Sequence, residues 1–316
     1  MKVSRNVAFL IVCACPVFGH IAQTRPRFCG LPENTSVPVP LGVSMQVTNN
    51  EAELITDGEK AILLPDSYYA KILQICSLSG GKLAVLSDVG RGHTVVYIVD
   101  TLKQEVVDWF YGFSPVISPD RRWIVYDKFL PGSVQAPTTS EYLIYDLTRT
   151  PAQNRSDGNV DDHYDNIGAV IYPPGQKNLP LDNIGVPEEQ VHAGGYDFYW
   201  APDSRAIVFG DLTRAASNVV LVKLDDRGIP TAFEHDISRV DPCGFFQGNW
   251  AEFVRHAEIG PGSSEERVLL VEIQSSIGCK PRSIGLHESD FRPAKAEVHV
   301  LPKPAKKARK AEEPAR

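Results

Sequence analysis

A nine-residue phrase that occurs twice in the chain constrains its fold more than any other feature. Residues 118–126 read Ser-Pro-Asp-Arg-Arg-Trp-Ile-Val-Tyr, and residues 201–209 read Ala-Pro-Asp-Ser-Arg-Ala-Ile-Val-Phe. A looser copy, residues 78–86, reads Leu-Ser-Gly-Gly-Lys-Leu-Ala-Val-Leu. Each copy contains the end of a polar turn and the start of an apolar strand. Aligned on the basic residue before each strand, the copies lie 40 and 83 residues apart, which is about one period and then two. A period of this length indicates propeller blades or solenoid turns.

The composition is that of a globular protein with many turns. The chain has 316 residues, of which 43% are hydrophobic, and its 24 Gly and 24 Pro residues fall largely between apolar runs. One large domain is expected, because β-propellers and barrels of about 200 to 250 residues fold as one unit. The net charge is −7, and the only dense basic run lies at the C-terminus, so no nucleic-acid surface is expected.

The first 22 residues have the pattern of a secretory signal peptide. A basic start precedes the apolar stretch 7–18, which is too short to span a bilayer as a helix. Cleavage after Gly19 or Ala22 would leave a small residue before the cut, and a lipid anchor on Cys15 is the alternative. The sequence therefore predicts a secreted or periplasmic protein with no transmembrane helix after signal removal.

Four cysteines remain after ordinary signal cleavage, an even number in an oxidising compartment: Cys29, Cys76, Cys243 and Cys279. We favour disulfides between Cys29 and Cys76 and between Cys243 and Cys279, because each would close a loop within one end of the domain. The other two connectivities stay open. No C-x-x-C spacing occurs among these four, which disfavours a zinc knuckle or a thioredoxin-type redox site.

The remainder divides into a Pro-rich segment at 23–50, an ordered domain at 51–301 and a basic tail at 302–316 that is expected to be disordered. Within the domain, apolar β-prone runs alternate with turn-rich links, as in consecutive antiparallel strands. Four such units are legible, within residues 82–110, 123–146, 206–225 and 249–273.

The phrase at 118–126, followed by a strand that ends at Tyr145-Asp146-Leu147, resembles the WD40-like repeat of TolB-type β-propellers. The resemblance covers roughly residues 60–275. It implies an all-β, β-propeller-like fold of about five or six four-stranded blades, some degenerate. In that family Pro-Asp occupies the tight turn before a strand, where Pro fixes φ and Asp bonds the backbone two residues on. An open array of β-sandwiches is the alternative architecture.

The chain departs from the repeat pattern between Asp146 and Tyr196, where no apolar β pattern occurs. The stretch 154–195 is therefore expected to be an irregular insertion in the domain. Two explanations stay open. Either one blade is degenerate, or a long functional loop replaces it.

That insertion contains the densest group of side chains able to bind a metal, Asp161, Asp162, His163 and Asp165. Oxygen-rich loops of this kind suit Ca²⁺, and a histidine would suit another divalent metal. The spacing matches neither an EF-hand nor a zinc pattern, and acidic surface loops are commonly empty. No cofactor is firmly implied.

His192 and Tyr196 are the candidate ligand-binding residues. The Gly194-Gly195 pair between them would let a ligand approach the backbone closely. The aromatic residues that follow are expected to pack within a blade, because they alternate along a strand.

The sequence contains no Gly-x-Ser-x-Gly motif and has no room after residue 275 for an α/β-hydrolase domain, which argues against a serine hydrolase. The predicted function is non-catalytic binding or scaffolding by a monomer, with proteins or cell-envelope components as partners. The alternative is a small metal-assisted hydrolase or lyase acting on a glycan through Asp161, Asp162, His163 or His192. The repeat motif does not distinguish them, because TolB-type propellers serve as scaffolds, receptors, peptidase lids and enzymes.

Overall fold

The computed structural model describes most of the central part of the chain. The described residues are 28–30, 43–48, 51–56, 60–67, 71–90, 93–130, 139–164, 167–175, 191–213, 216–240, 249–250, 252–260, 266–275 and 281–296. They form β-strands, turns and short 3₁₀ segments, and none of them lies in a helix long and apolar enough to cross a membrane. The predicted signal peptide, Cys15 and the basic tail lie outside these residues.

The strands follow one another in antiparallel sheets, in chain order. The first sheet contains β1 (Val43–Thr48), β2 (Glu51–Thr56) and β3 (Lys60–Leu63). The second contains β4 (Lys71–Ser77), β5 (Lys82–Gly90), β6 (His93–Asp100) and β7 (Glu105–Tyr111). The third contains β8 (Phe113–Ile117), β9 (Trp123–Leu130), β10 (Thr139–Asp146) and β11 (Ala169–Tyr172).

The later strands continue this order until the last one. The fourth sheet contains β12 (Ala193–Trp200), β13 (Ala206–Leu212), β14 (Ser217–Leu224) and β15 (Pro230–Asp236). A pair, β16 (Arg239–Val240) and β17 (Asn249–Trp250), precedes the fifth sheet of β18 (Glu252–Ile259), β19 (Val268–Ser275) and β20 (Arg282–His287). The chain then returns to the fourth sheet, where β21 (Arg292–Pro293) pairs with β15.

The repeated phrase occupies the same place in successive sheets, the turn between the first and second strands. Asp120 Oδ1 accepts a hydrogen bond from the backbone N–H of Arg122 at 3.1 Å, and Asp203 Oδ1 accepts one from Arg205 at 3.0 Å. The residue after each Pro-Asp dipeptide has a left-handed backbone conformation, with φ of 62° at Arg121 and 59° at Ser204. The predicted role of Pro-Asp as a turn before a strand is therefore confirmed.

The two Pro-Asp turns lie in neighbouring sheets, although 83 residues separate the arginines that follow them. The backbone N–H of Asp120 donates to Ser204 Oγ at 2.9 Å and joins the turns directly. The extra length lies in the connections before and after β11, which completes the third sheet. Among the described residues the interval thus contains long connections rather than an additional sheet.

Apolar residues fill the space between each pair of consecutive sheets. The four resulting clusters join the first sheet to the second, the second to the third, the third to the fourth and the fourth to the fifth. In the third sheet, every residue of β10 is buried, because both faces of the strand are covered. This stepwise packing of antiparallel sheets confirms the all-β, β-propeller-like fold. No apolar cluster in the described residues joins the fifth sheet to the first.

The sheets have two distinct ends. We call the turn end the one that carries the Asp120 and Asp203 turns, and because strands alternate in direction, the turns that follow Asp146 and Asp225 lie there too. The opposite end, where β9 meets β10 and β13 meets β14, is the loop end.

A disulfide attaches the segment 28–30 to the domain by joining Cys29 to Cys76 at the end of β4. This is the pairing that the sequence analysis favours. Hydrogen bonds add to the attachment, because the carbonyl of Phe28 accepts from the backbone N–H of Ile117 at 2.8 Å and that of Cys29 accepts from Arg121 at 2.8 Å. Residues 243 and 279 lie outside the described residues, so their pairing stays a prediction.

Replacing Cys29 and Cys76 together by alanine is expected to lower the free energy of unfolding by about 2 to 4 kcal/mol. The bond closes a loop with a sequence separation of 47, and without it the unfolded chain gains conformational freedom. Urea unfolding of both proteins measures the difference. A loss below about 0.5 kcal/mol would contradict the expectation.

Candidate functional site

A buried ion pair fixes the long connection between β10 and β11 onto the second sheet. The Arg155 guanidinium binds Asp108 on β7 through two contacts, Nη2 to Oδ1 at 2.7 Å and Nη1 to Oδ2 at 2.8 Å. The hydroxyl of Tyr145 also donates to Asp108 Oδ2 at 2.7 Å. Both charged side chains are almost completely excluded from solvent, so the attraction between them offsets part of the cost of burying each charge.

The same guanidinium holds the connection itself in shape. Arg155 Nε donates to the carbonyl of Asp162 at 2.9 Å, and Nη1 donates to the carbonyl of Pro151 at 3.0 Å. Asn154 adds a second attachment, since its Oδ1 accepts from the backbone N–H of Asp146 at 3.0 Å. We call residues 154–164 the anchored loop.

The C-terminal part of the anchored loop lies on aromatic side chains of β7. The His163 ring stacks on Trp109 with 3.8 Å between centroids, and its Nδ1 lies 2.9 Å from the Trp109 carbonyl oxygen. The Tyr164 ring stacks on Tyr111 at 4.5 Å. A backbone hydrogen bond from Tyr111 N–H to the His163 carbonyl, 3.1 Å long, fixes the register of these contacts.

The outer side of the anchored loop combines exposed apolar and acidic groups. Tyr164 is 47% exposed and Val160 is 48% exposed, although both lie on a loop whose backbone is held in place. Asp157 and Asp161 are exposed beside them. The exposed side of the anchored loop is thus amphipathic, because it carries both apolar side chains and carboxylates.

Three of the four predicted metal ligands, Asp161, Asp162 and His163, lie among the described residues. Asp162 Oδ1 accepts the backbone N–H of Tyr164 at 3.0 Å, while His163 lies against Trp109. Asp161 is exposed, and Asp165 lies outside the described residues. Within the part of the chain that the structure describes, no three His, Cys, Asp or Glu side chains are placed to hold a metal ion.

His192 lies in the interior between the third and fourth sheets, with 2% of its surface exposed. Its Nδ1 lies 2.8 Å from Asp211 Oδ2, and the other oxygen of that carboxylate accepts the Tyr142 hydroxyl at 2.7 Å. Its backbone N–H donates to Thr139 Oγ1 at 2.9 Å. Tyr196 belongs to β12, but its side chain is outside what the structure describes.

Further buried charges occupy the loop end beside this histidine, and the sequence analysis did not single them out. Lys128 Nζ lies 3.6 Å from Glu141 Oε2, and both side chains are buried. Burial raises the pKa of Asp127 to about 8, and although a hydrogen bond from Ser140 opposes the shift, the negative charge of Asp211 adds to it. Charged side chains on a strand normally face solvent, so the sequence offered no sign of this burial.

Within the part of the chain that the structure describes, these buried groups contact other side chains and are excluded from solvent. The His192 ring is directed by Asp211, and Asp211 also receives a tyrosine hydroxyl. Such an arrangement can orient an imidazole, but at 2% exposure it lies inside the packed interface of two sheets. The accessible candidate surface is therefore the anchored loop.

Neither a protein-family model nor a curated protein matches this chain. Among solved structures, it is similar to prolyl oligopeptidase B from Galerina marginata, with 11% identity, a TM-score of 0.39, and coverage of 79% of this chain and 37% of that one. TolB from Acinetobacter baumannii matches with 17% identity, a TM-score of 0.24, and coverage of 74% and 48%. This chain spans less than half of the length of either. These similarities assign no family, and the β-propeller-like fold rests on the sheets and repeated turns described above.

Proposed function

We propose that this protein is a secreted, non-catalytic binding scaffold of the TolB-type propeller class, and that the anchored loop is its contact surface. The partners would be proteins or cell-envelope components. One observation carries the proposal: the buried Arg155–Asp108 pair holds an amphipathic loop in place while Tyr164 stays exposed.

A fixed loop favours binding because little conformational freedom is lost when a partner arrives. The stacking of Tyr164 on Tyr111 already restricts the aromatic ring that would make the central contact. Exposed tyrosines on rigid supports are typical of residues that contribute most of the binding energy at interfaces. The anchored loop has this combination.

The polar groups of the loop fit binding better than turnover. Asp162 caps its own turn and His163 lies against the Trp109 ring, so both support the loop conformation. Asp157 and Asp161 remain on the exposed side. A partner that suits this surface would present an apolar pocket for Tyr164 with basic groups around it.

The test is affinity capture from an envelope extract of the source organism, with the full chain as bait and with Tyr164→Ala as the comparison. Wild-type protein is expected to recover a specific partner in stoichiometric amount. Removal of the tyrosine ring is expected to weaken the purified complex by about 2 kcal/mol, which is roughly 30-fold in Kd.

Leu102→Ala is the matched control, since Leu102 is also an exposed large apolar residue but lies in the turn between β6 and β7 at the turn end. It should leave the affinity unchanged. Equal affinity for wild type and Tyr164→Ala would refute the assignment of the surface. Steady glycan turnover by the purified protein would refute the scaffold function itself.

A further inference from the structure

A pocket of about 370 Å³ opens between the third and fourth sheets at the turn end. Its walls come from the start of β9, the end of β10, the start of β11 and the turn between β14 and β15. The volume is in the range of natural small-ligand sites, which is about 300 to 1,000 Å³. The start of the anchored loop, residues 154–156, also lines the pocket, whereas Tyr164 and the buried charges at the loop end are not among its lining residues.

The pocket is rich in positive charge. Three arginines and one acid line it, namely Arg149, Arg155, Arg227 and Asp146. Both terminal nitrogens of Arg155 already bind Asp108, so that cation is committed. Arg149 and Arg227 remain accessible, with side-chain exposures of 50% and 78%.

The two accessible arginines are only loosely paired. Arg149 Nε lies 3.5 Å from Asp146 Oδ2, and Arg227 Nε lies 3.4 Å from Asp225 Oδ2. Exposed ion pairs at such distances contribute little to stability, so both guanidinium groups can bind another anion. The carboxylates are also engaged by their own turns. Asp225 Oδ1 accepts the backbone N–H of Ile229 at 2.7 Å, a bond that lowers the pKa of Asp225.

A fourth arginine, Arg122, lies beside Asp146. Arg122 Nη2 lies 3.5 Å from Asp146 Oδ2, and the Arg122 guanidinium lies 4.1 Å above the Trp123 ring. Its Nε is buried and has no hydrogen-bond partner in the structure. Asp146 thus faces both Arg122 and Arg149, so two guanidinium groups share one carboxylate.

The remaining wall of the pocket is apolar and tightly packed. It is formed by Trp123, Ile144, Val170, Ile229 and Pro230. Gly228 meets the Trp123 indole so closely that a Cβ there would lie 2.2 Å from the ring, so the backbone of the turn forms one wall of the pocket directly.

We infer that this pocket binds a carboxylate carried on an apolar group, at a site other than the Tyr164 surface of the proposed scaffold function. The guanidinium groups of Arg149 and Arg227 would bind the carboxylate, because the planar fork of arginine matches two carboxylate oxygens. The apolar group would lie against Trp123. The carboxylate has two sources, either the C-terminus of a peptide or a free small acid.

Calorimetric titration of the full chain with N-acetylphenylalanine, its amide and the tripeptide Ala-Ala-Phe tests the inference. The free acid should bind at least tenfold more tightly than the amide, and Arg149→Gln with Arg227→Gln should remove at least tenfold in affinity. Tighter binding of the tripeptide would identify a peptide C-terminus as the source, while equal or weaker binding would identify a small acid.

Arg205→Gln is the matched control, because Arg205 is an exposed arginine at the same end, paired with Asp226 and outside the pocket. It should bind the free acid like the wild type. Equal binding of acid and amide, an equal loss in Arg205→Gln, or no detectable binding of any probe would overturn the inference. Unchanged partner capture by Tyr164→Ala would refute the proposed contact surface without bearing on this pocket, so the two proposals fail separately.

Discussion

Arg155→Met is expected to lower the free energy of unfolding by about 3 to 5 kcal/mol, because it leaves the Asp108 carboxylate buried without its cation. Removal of the guanidinium also deletes the hydrogen bonds to the carbonyls of Asp162 and Pro151 that hold the anchored loop. For a domain of this size the midpoint of thermal unfolding should fall by roughly 10 °C. Calorimetry or circular dichroism on heating measures it.

Two further variants separate the ion pair from side-chain size. Arg155→Met combined with Asp108→Leu should be more stable than Arg155→Met alone, since no uncompensated charge is then buried. Arg205→Met is the exposed control, because Arg205 pairs with the exposed Asp226, and should change stability by less than about 1 kcal/mol. A single Arg155→Met variant as stable as the Arg205 control would disprove the importance of the buried pair.

Asp127→Asn is expected to make the protein more stable than wild type at alkaline pH and to flatten its dependence on pH. Burial raises the pKa of Asp127 to about 8 in the folded protein, from an ordinary value of 3.8. Between these values the folded state holds a proton that the unfolded state has released, so wild-type stability falls as pH rises from about 4 to about 8. Asparagine resembles the neutral acid and retains an acceptor for Ser140.

The difference between the two proteins should therefore grow with pH by at most about 1.4 kcal/mol per unit, and reach on the order of 5 kcal/mol above pH 8. Urea unfolding from pH 5 to pH 9 measures it, with Asp226→Asn as an exposed carboxylate control. Asp211 and Glu141 add negative charge near Asp127, so the same experiment reports on the whole cluster. Parallel stability curves for wild type and Asp127→Asn would show that Asp127 is ionised in the folded protein.

The repeated phrase predicts its own structure because its information is local. The Pro-Asp turn depends on a fixed φ and on an Asp that bonds two residues ahead, and both copies behave in this way. The alternation of apolar runs and turns likewise predicts the strands of the second, third and fourth sheets. In each case the partners that determine the structure lie within a few residues of each other.

The spacing of the copies does not predict the number of sheets, because the interval between two copies gives the number of residues and not the number of strands. An interval near two periods is equally compatible with a hidden blade and with long connections in one blade. The contact between Asp120 and Ser204 resolves this, and it joins residues 84 apart in the chain.

The candidate site was only partly predictable, because its contacts join residues that are far apart in the sequence. The cluster of acidic residues indicates the loop that contains His163 but not its anchor, because Arg155 and Asp108 are 47 residues apart and meet only through the packing of two sheets. His192 was singled out for the glycines beside it, whereas its actual neighbour is Asp211 in the next strand. Buried charges such as Asp127 depend on which strand faces cover them.

The return of the chain to the fourth sheet has a consequence for self-association. An outer strand presents unpaired backbone groups that can recruit a strand from another molecule. In this protein β21 pairs with part of β15, and the N–H of Ala294 donates to the carbonyl of Ala232 at 3.0 Å just beyond the pair. Residues 292–294 therefore cover part of an edge that would otherwise be open to pairing with a strand of another molecule.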